Sequence, residues 1–81
     1  MNAKFTYYAE VPWPFQRENI AWVVLEHDRE DTGGYFLYLH TNLDDEAIFD
    51  EWYETRELAE NAAEDGWGIQ KGKWREWVSR K

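Results

Sequence analysis

The sequence predicts an α+β domain: a three- or four-stranded antiparallel β-meander packed by one α-helix, with a short C-terminal helix or an extended tail. Between Ile20 and Tyr53, three runs rich in β-branched and aromatic residues alternate with turn stretches of ordinary hairpin length. Thr55 to Gly66 reads as the one well-punctuated helix. Eighty-one residues without a linker, an internal repeat or a low-complexity segment make a single domain, 1–81.

In chain order, Lys4 to Val11 (KFTYYAEV) is a strand, an edge one or one loosely attached. Pro12 and Pro14 end it, because proline lacks the N–H that a ladder needs. Trp13 and Phe15 beside them read as an aromatic plug; a polyproline ligand motif needs more prolines. Ile20 to Asp28 (IAWVVLEHD) is the central-strand candidate, apolar on both faces. The REDTGG turn leads to Tyr35–Thr41, and NLDDE leads to a strand over Ala47–Tyr53. Symmetric pairing about these turns gathers Ala21, Val23, Leu25, Leu37, Leu39 and Phe49 on one face. The other collects Trp22, Val24, Phe36, Tyr38, His40, Ile48 and Trp52. Neither face is polar, so one takes the helix and the other needs a second cover.

Thr55 stands at the N-cap, where its hydroxyl accepts a bond from a free helical N–H. Leu58, Ala59, Ala62 and Ala63 form the inward stripe, Glu57, Glu60, Asn61 and Glu64 the outer face, and Gly66 the left-handed stop. Arg56 and Glu60 make a favourable i,i+4 pair. The small inward stripe lets the helix lie close, and by size it suits the aromatic sheet face. In the tail, Trp74, Trp77 and Val78 make a helical stripe. The tail is expected to be part of the fold, its two tryptophans covering the face that the helix leaves open.

Trp52, Tyr53, Thr55, Ala59 and Ala63, followed by Trp67-Gly68-Ile69 and Trp74-Arg75, form a pattern over the last third of the chain. It resembles a group of small uncharacterised bacterial proteins. The resemblance implies packing of a capped, Ala-faced helix and no activity, cofactor or binding residue.

The absence of Cys excludes disulfides and thiolate metal sites. His27 and His40 fall on opposite faces, and Ser79 has no nucleophile-elbow context. Asp28 to Gly33 begins as a calcium loop does, but its twelfth position is Leu39 where a bidentate Glu belongs. No catalytic residue, metal site or cofactor is expected, so the chain reads as a non-enzyme. No long apolar run or signal-type segment occurs, so the expected location is the cytoplasm, away from membranes.

Charge is uneven. Residues 1–70 hold four Lys/Arg against sixteen Asp/Glu, a balance of −12, whereas residues 71–81 hold five against one, a balance of +4. A field of this sign repels nucleic acid, although Lys71, Lys73, Arg75, Arg80 and Lys81 around two tryptophans resemble a stacking segment in composition. The expected function is a small acidic protein-interaction module, a regulator or inhibitor, as monomer or homodimer, whose partner is a protein with a basic surface. Trp74, Trp77 and the acidic turn Asp44-Asp45-Glu46 are the candidate partner-binding residues. The alternatives are a nucleic-acid mimic that occupies a DNA-binding protein, and a small ligand-binding domain or enzyme with a pocket between sheet and helix.

Overall fold

The computed structural model describes residues 6–77. Five strands, β1 (Thr6–Glu10), β2 (Trp22–His27), β3 (Tyr35–His40), β4 (Phe49–Tyr53) and β5 (Arg75–Trp77), surround one helix in chain order, α1 (Arg56–Trp67), which precedes β5. Short 3₁₀ turns occupy Trp13–Phe15 and Lys71–Lys73. The strands form one antiparallel sheet in the order β4-β3-β2-β1-β5. This is the α+β meander with one helix, enlarged by a fifth strand.

The fifth strand comes from the tail. Helical periodicity in Trp74, Trp77 and Val78 is not realised: Arg75–Trp77 runs extended along β1, pairing Thr6 with Trp77 and Tyr8 with Arg75. The unpaired edge that β1 offers outweighs the propensity of three residues. β1 is thus flanked on both sides, between β2 and β5. Lys4 and Val78, which the sequence placed in strand and helix, lie outside the described residues, as do Ser79, Arg80 and Lys81.

The chain leaves the sheet at one edge, β4, and rejoins it at the other, β5. Its connection must therefore cross a whole face, and α1 is that connection. The helix lies on the aliphatic face, where Val23 pairs with Leu39 and Leu25 with Leu37. These four residues form one buried cluster with Ala59, Ala63, Trp67 and Ile69. The size argument that matched the Ala stripe to the aromatic face is overturned. Fully buried Ala59 and Ala63 bring the helix close enough for branched aliphatic side chains of modest height to fill the gap.

The stripe itself differs from expectation at both ends. Leu58 is half exposed, while Trp67, two turns beyond Ala59 and one beyond Ala63, closes the buried face. Thr55 caps as expected, its Oγ1 accepting from Leu58 N–H at 3.1 Å. The stop is Gly68 at φ 69°, two residues beyond Gly66; its N–H bonds to Glu64 O at 3.1 Å, and Ile69 N–H reaches Ala63 O. Arg56 Nε holds Glu60 Oε2 at 2.7 Å and its guanidinium lies 4.3 Å from the Tyr7 ring centroid.

The aromatic plug dissolves into two different residues. Trp13 is 81% exposed and plugs nothing. Phe15 packs its ring on Gly68, where an added Cβ would collide with it. Val11 and Ile20, both fully buried, anchor the ends of this loop instead. Arg17 reaches from the loop to α1: its guanidinium sits 3.8 Å from the Trp67 ring centroid and donates to Gly66 O at 2.7 Å.

Two substitutions test this joint. Thr55→Ala removes the acceptor for Leu58 N–H and is expected to cost ~0.5–2 kcal/mol in urea unfolding. Gly68→Ala forces an L residue into the left-handed region, at about 1–2 kcal/mol, and drives its methyl group into Phe15. It should therefore be the more damaging of the two; equal stabilities would mean that the helix ends elsewhere.

Candidate functional site

Opposite residues in an antiparallel pair share a face. Register therefore assigns the side of the sheet away from α1. Across one row run Trp77, Thr6, Glu26, Phe36 and Trp52; across the next run Arg75, Tyr8, Val24, Tyr38 and Asp50. A third row contains Glu10, Trp22 and His40. Val24 is buried at the centre, and six aromatic side chains surround it on four other positions along the strands and two beside it.

These rings are held in place. Tyr8 lies between Trp22, with centroids 6.1 Å apart, and Trp77, which it meets edge-to-face at 5.5 Å. Phe36 and Tyr38 stack at 5.6 Å. Trp52 is pinned twice: its Nε1 donates to Thr32 Oγ1 at 2.8 Å, and its ring lies where a Cβ on Gly34 would stand. The REDTGG turn builds that seat. Asp28 Oδ2 accepts from Thr32 N–H and Thr32 Oγ1, Gly33 adopts φ 76°, and Thr32 Oγ1 accepts from Gly34 N–H. Trp52 nevertheless remains 45% exposed and Trp77 39%. These rings are thus restrained by their neighbours and still face water.

The strand residues of this face also carry Glu10, Glu26 and Asp50, against one cation among the described strand residues, Arg75. The acid lies close enough to act on Tyr38. Burial, followed by the charge and hydrogen bond of Glu26 and the charges of Asp50 and Asp28, raises the Tyr38 hydroxyl to about 12. On the helix side, burial and the bond that Tyr53 donates to Glu51 Oε1 (2.8 Å) raise the Tyr53 hydroxyl to about 12 as well.

The structure separates the residues that the sequence nominated. Trp77 belongs to the open face, as one of its rings and not as a lid over it. Trp74 packs against the helix-side core, its Nε1 buried without a hydrogen-bond partner. The two therefore do not cover the open face together. Asp44 lines a cavity of about 380 Å³ with Tyr8, Leu43, Glu76 and Trp77. The backbone carbonyl of Asp45 meets His40 Nδ1 at 3.0 Å, and Glu46 is exposed in the same loop. Tyr8 was missed; the alternation Thr6, Tyr8, Glu10 along β1 was the available signal. His27 lies on the helix side, stacked on Tyr35 at 4.3 Å, and His40 on the open side. Among the described residues, no group of three or more His, Asp or Glu converges as a metal site, and no helix is long and apolar enough to cross a membrane.

Comparison with family models, with curated proteins and with solved structures finds no match to this chain.

The two tyrosines give a prediction in pH. Folded hydroxyls near 12 against an ordinary value of 10.0 mean that the folded state keeps protons which the unfolded state releases. Their stabilising contribution is complete below pH ~10 and is lost as pH rises through ~12. Urea unfolding from pH 9 to 12 should show stability falling with pH, and Tyr38→Phe should flatten the fall. An unchanged slope in that variant would contradict the environment described for Tyr38.

Proposed function

We propose that this domain is an interaction module that docks a protein with a basic surface on its open aromatic face, as a regulator or inhibitor without a catalytic step of its own. The observation that supports this reading is the face itself: Trp22, Trp52, Trp77, Tyr8, Phe36 and Tyr38 lie on one side of a sheet whose other side is covered by α1. Trp and Tyr are the residue types that dominate binding energy at protein interfaces, and a contiguous apolar patch of this kind marks an interaction site.

Charge points to the kind of partner. A net charge of −8 and the carboxylates of Glu10, Glu26 and Asp50 on the face repel a second copy and nucleic acid alike. The same charges steer and orient a basic protein. Aromatic rings between the carboxylates favour this over a nucleic-acid mimic, in which evenly spaced charge would lead. The helix–sheet joint, where a ligand pocket was the alternative, is filled by Ala59, Ala63, Leu25 and Leu37.

Cross-linked capture from a lysate of the source cells, at two salt concentrations, tests the proposal. The expected result is a basic protein whose capture weakens at high salt, disappears with Trp52→Ala and with Asp50→Lys, and survives Trp13→Ala. Circular dichroism of each variant confirms that it folds. Capture that is indifferent to Trp52 and Asp50 would overturn the reading.

A further inference from the structure

One part of the open face is concave. The β3–β4 loop carries Leu43 and Asp44 across to the β1–β5 side, where they line the cavity of about 380 Å³ with Tyr8, Trp77 and Glu76. We propose that this cavity seats one organic cation, the lysine or arginine side chain of the basic partner; the inference rests on the docking reading and specifies its chemistry.

Three features of the cavity select a cation. The Tyr8 and Trp77 rings meet at 72° with centroids 5.5 Å apart, so they form two walls of a corner. Aromatic faces attract cations through their negative quadrupole. Asp44 supplies the opposite charge. Its carboxylate has no hydrogen-bond or ion-pair partner among the described residues. The backbone beneath it is fixed: Asp44 N–H donates to Asn42 Oδ1 at 2.9 Å, Asp45 N–H to Asn42 O at 3.0 Å, and Asp45 O meets His40 Nδ1. The volume lies near the lower end of the ~300–1,000 Å³ of ligand cavities, which suits the end of one side chain and its waters.

Two neighbours qualify the charge. Glu76 pairs with Tyr7, so alternation along β5 puts it on the opposite pleat from Trp77, and as a further lining residue it adds negative charge. Arg75 pairs with Tyr8 on the open face, and as a like charge it opposes an incoming cation. Removing Arg75 is therefore expected to strengthen binding, an effect that a purely apolar groove would not show.

The test is a titration of the full chain followed by ¹H–¹⁵N NMR, with the Trp77 indole signal assigned from Trp77→Phe. The probes are the N-acetyl methylamides of lysine and arginine, with that of norleucine as the neutral analogue. Saturable shifts of Trp77 and Tyr8 are expected with both cations and not with norleucine. Asp44→Asn should weaken binding about two- to fivefold and Arg75→Gln should tighten it; both sites are exposed, so the fold survives either change. Equal shifts with norleucine, indifference to Asp44→Asn, or no saturable shift at all would overturn the cavity proposal. Should that happen while Trp52-dependent capture persists, the docking face stands and only its cation seat falls. Loss of capture with cation binding intact would instead remove the protein partner and leave a site for free cations.

Discussion

The close contact of α1 with the sheet sets the rest of this structure. Ala59 and Ala63 present almost no side chain, and both are fully buried against the strands. A helix held this near is matched by the aliphatic side chains of Val23, Leu25, Leu37 and Leu39. Tyr8, Trp22, Phe36, Tyr38, Trp52 and Trp77 lie on the other pleat, while Tyr7, Tyr35, Tyr53 and Trp74 are only partly buried against the helix-side cluster. Trp67 lies at the end of the joint, where the chain departs, and Arg17 closes over its ring. The connection from β4 to β5 crosses one face, and α1 makes that crossing, so among the described residues no second helix lies over the other face. The exposure of the aromatic face and the packing of the core therefore follow from one constraint.

Local chemistry was well legible in the sequence, and choices between distant partners were not. Alternation in IAWVVLEHD and YFLYLHT separated Val23, Leu25, Leu37 and Leu39 from Trp22, Val24, Phe36 and Tyr38, because a side-chain period of two leaves little freedom once the turn is fixed. Thr55 was legible for a similar reason, since a cap acts within three residues. Which face receives the helix depends on how near the backbone approaches, and size complementarity alone pointed the wrong way. Gly66 and Gly68 are both glycines two residues apart; the contact of Phe15 with Gly68, across more than fifty residues of chain, accompanies the actual stop and no local pattern encodes it. The tail is the clearest case. Trp74 and Trp77 share a helical stripe in isolation, yet beside the open edge of β1 they alternate to opposite sides of the sheet.

The candidate site was half legible for the same reasons. Asp44 and Trp77 were named from composition, the one in an acidic turn and the other in a basic tail, and the fold brings both to one cavity with Tyr8. Trp74, named on equal grounds, faces the core. Trp52 was placed on the correct face, but its two restraints, the Thr32 hydroxyl and the Gly34 backbone, belong to a turn twenty residues away. A ring that is both exposed and fixed loses little freedom when a partner arrives, which is how such a residue contributes more to binding than its area suggests. In the proposed docking, the net charge of −8 disfavours contact between two copies and attracts a partner of opposite sign.

One sheet face is sealed by α1, and the described residues leave the other open. A soluble paramagnetic agent, followed through the side-chain resonances of the free protein at low concentration, tests it directly. Strong relaxation of the Trp52 and Trp77 rings, with the methyl groups of Ala59, Ala63 and Leu37 protected, is the result that this structure predicts. Protection of Trp52 and Trp77 to the level of Ala59 would contradict it, because the aromatic face would then already be covered.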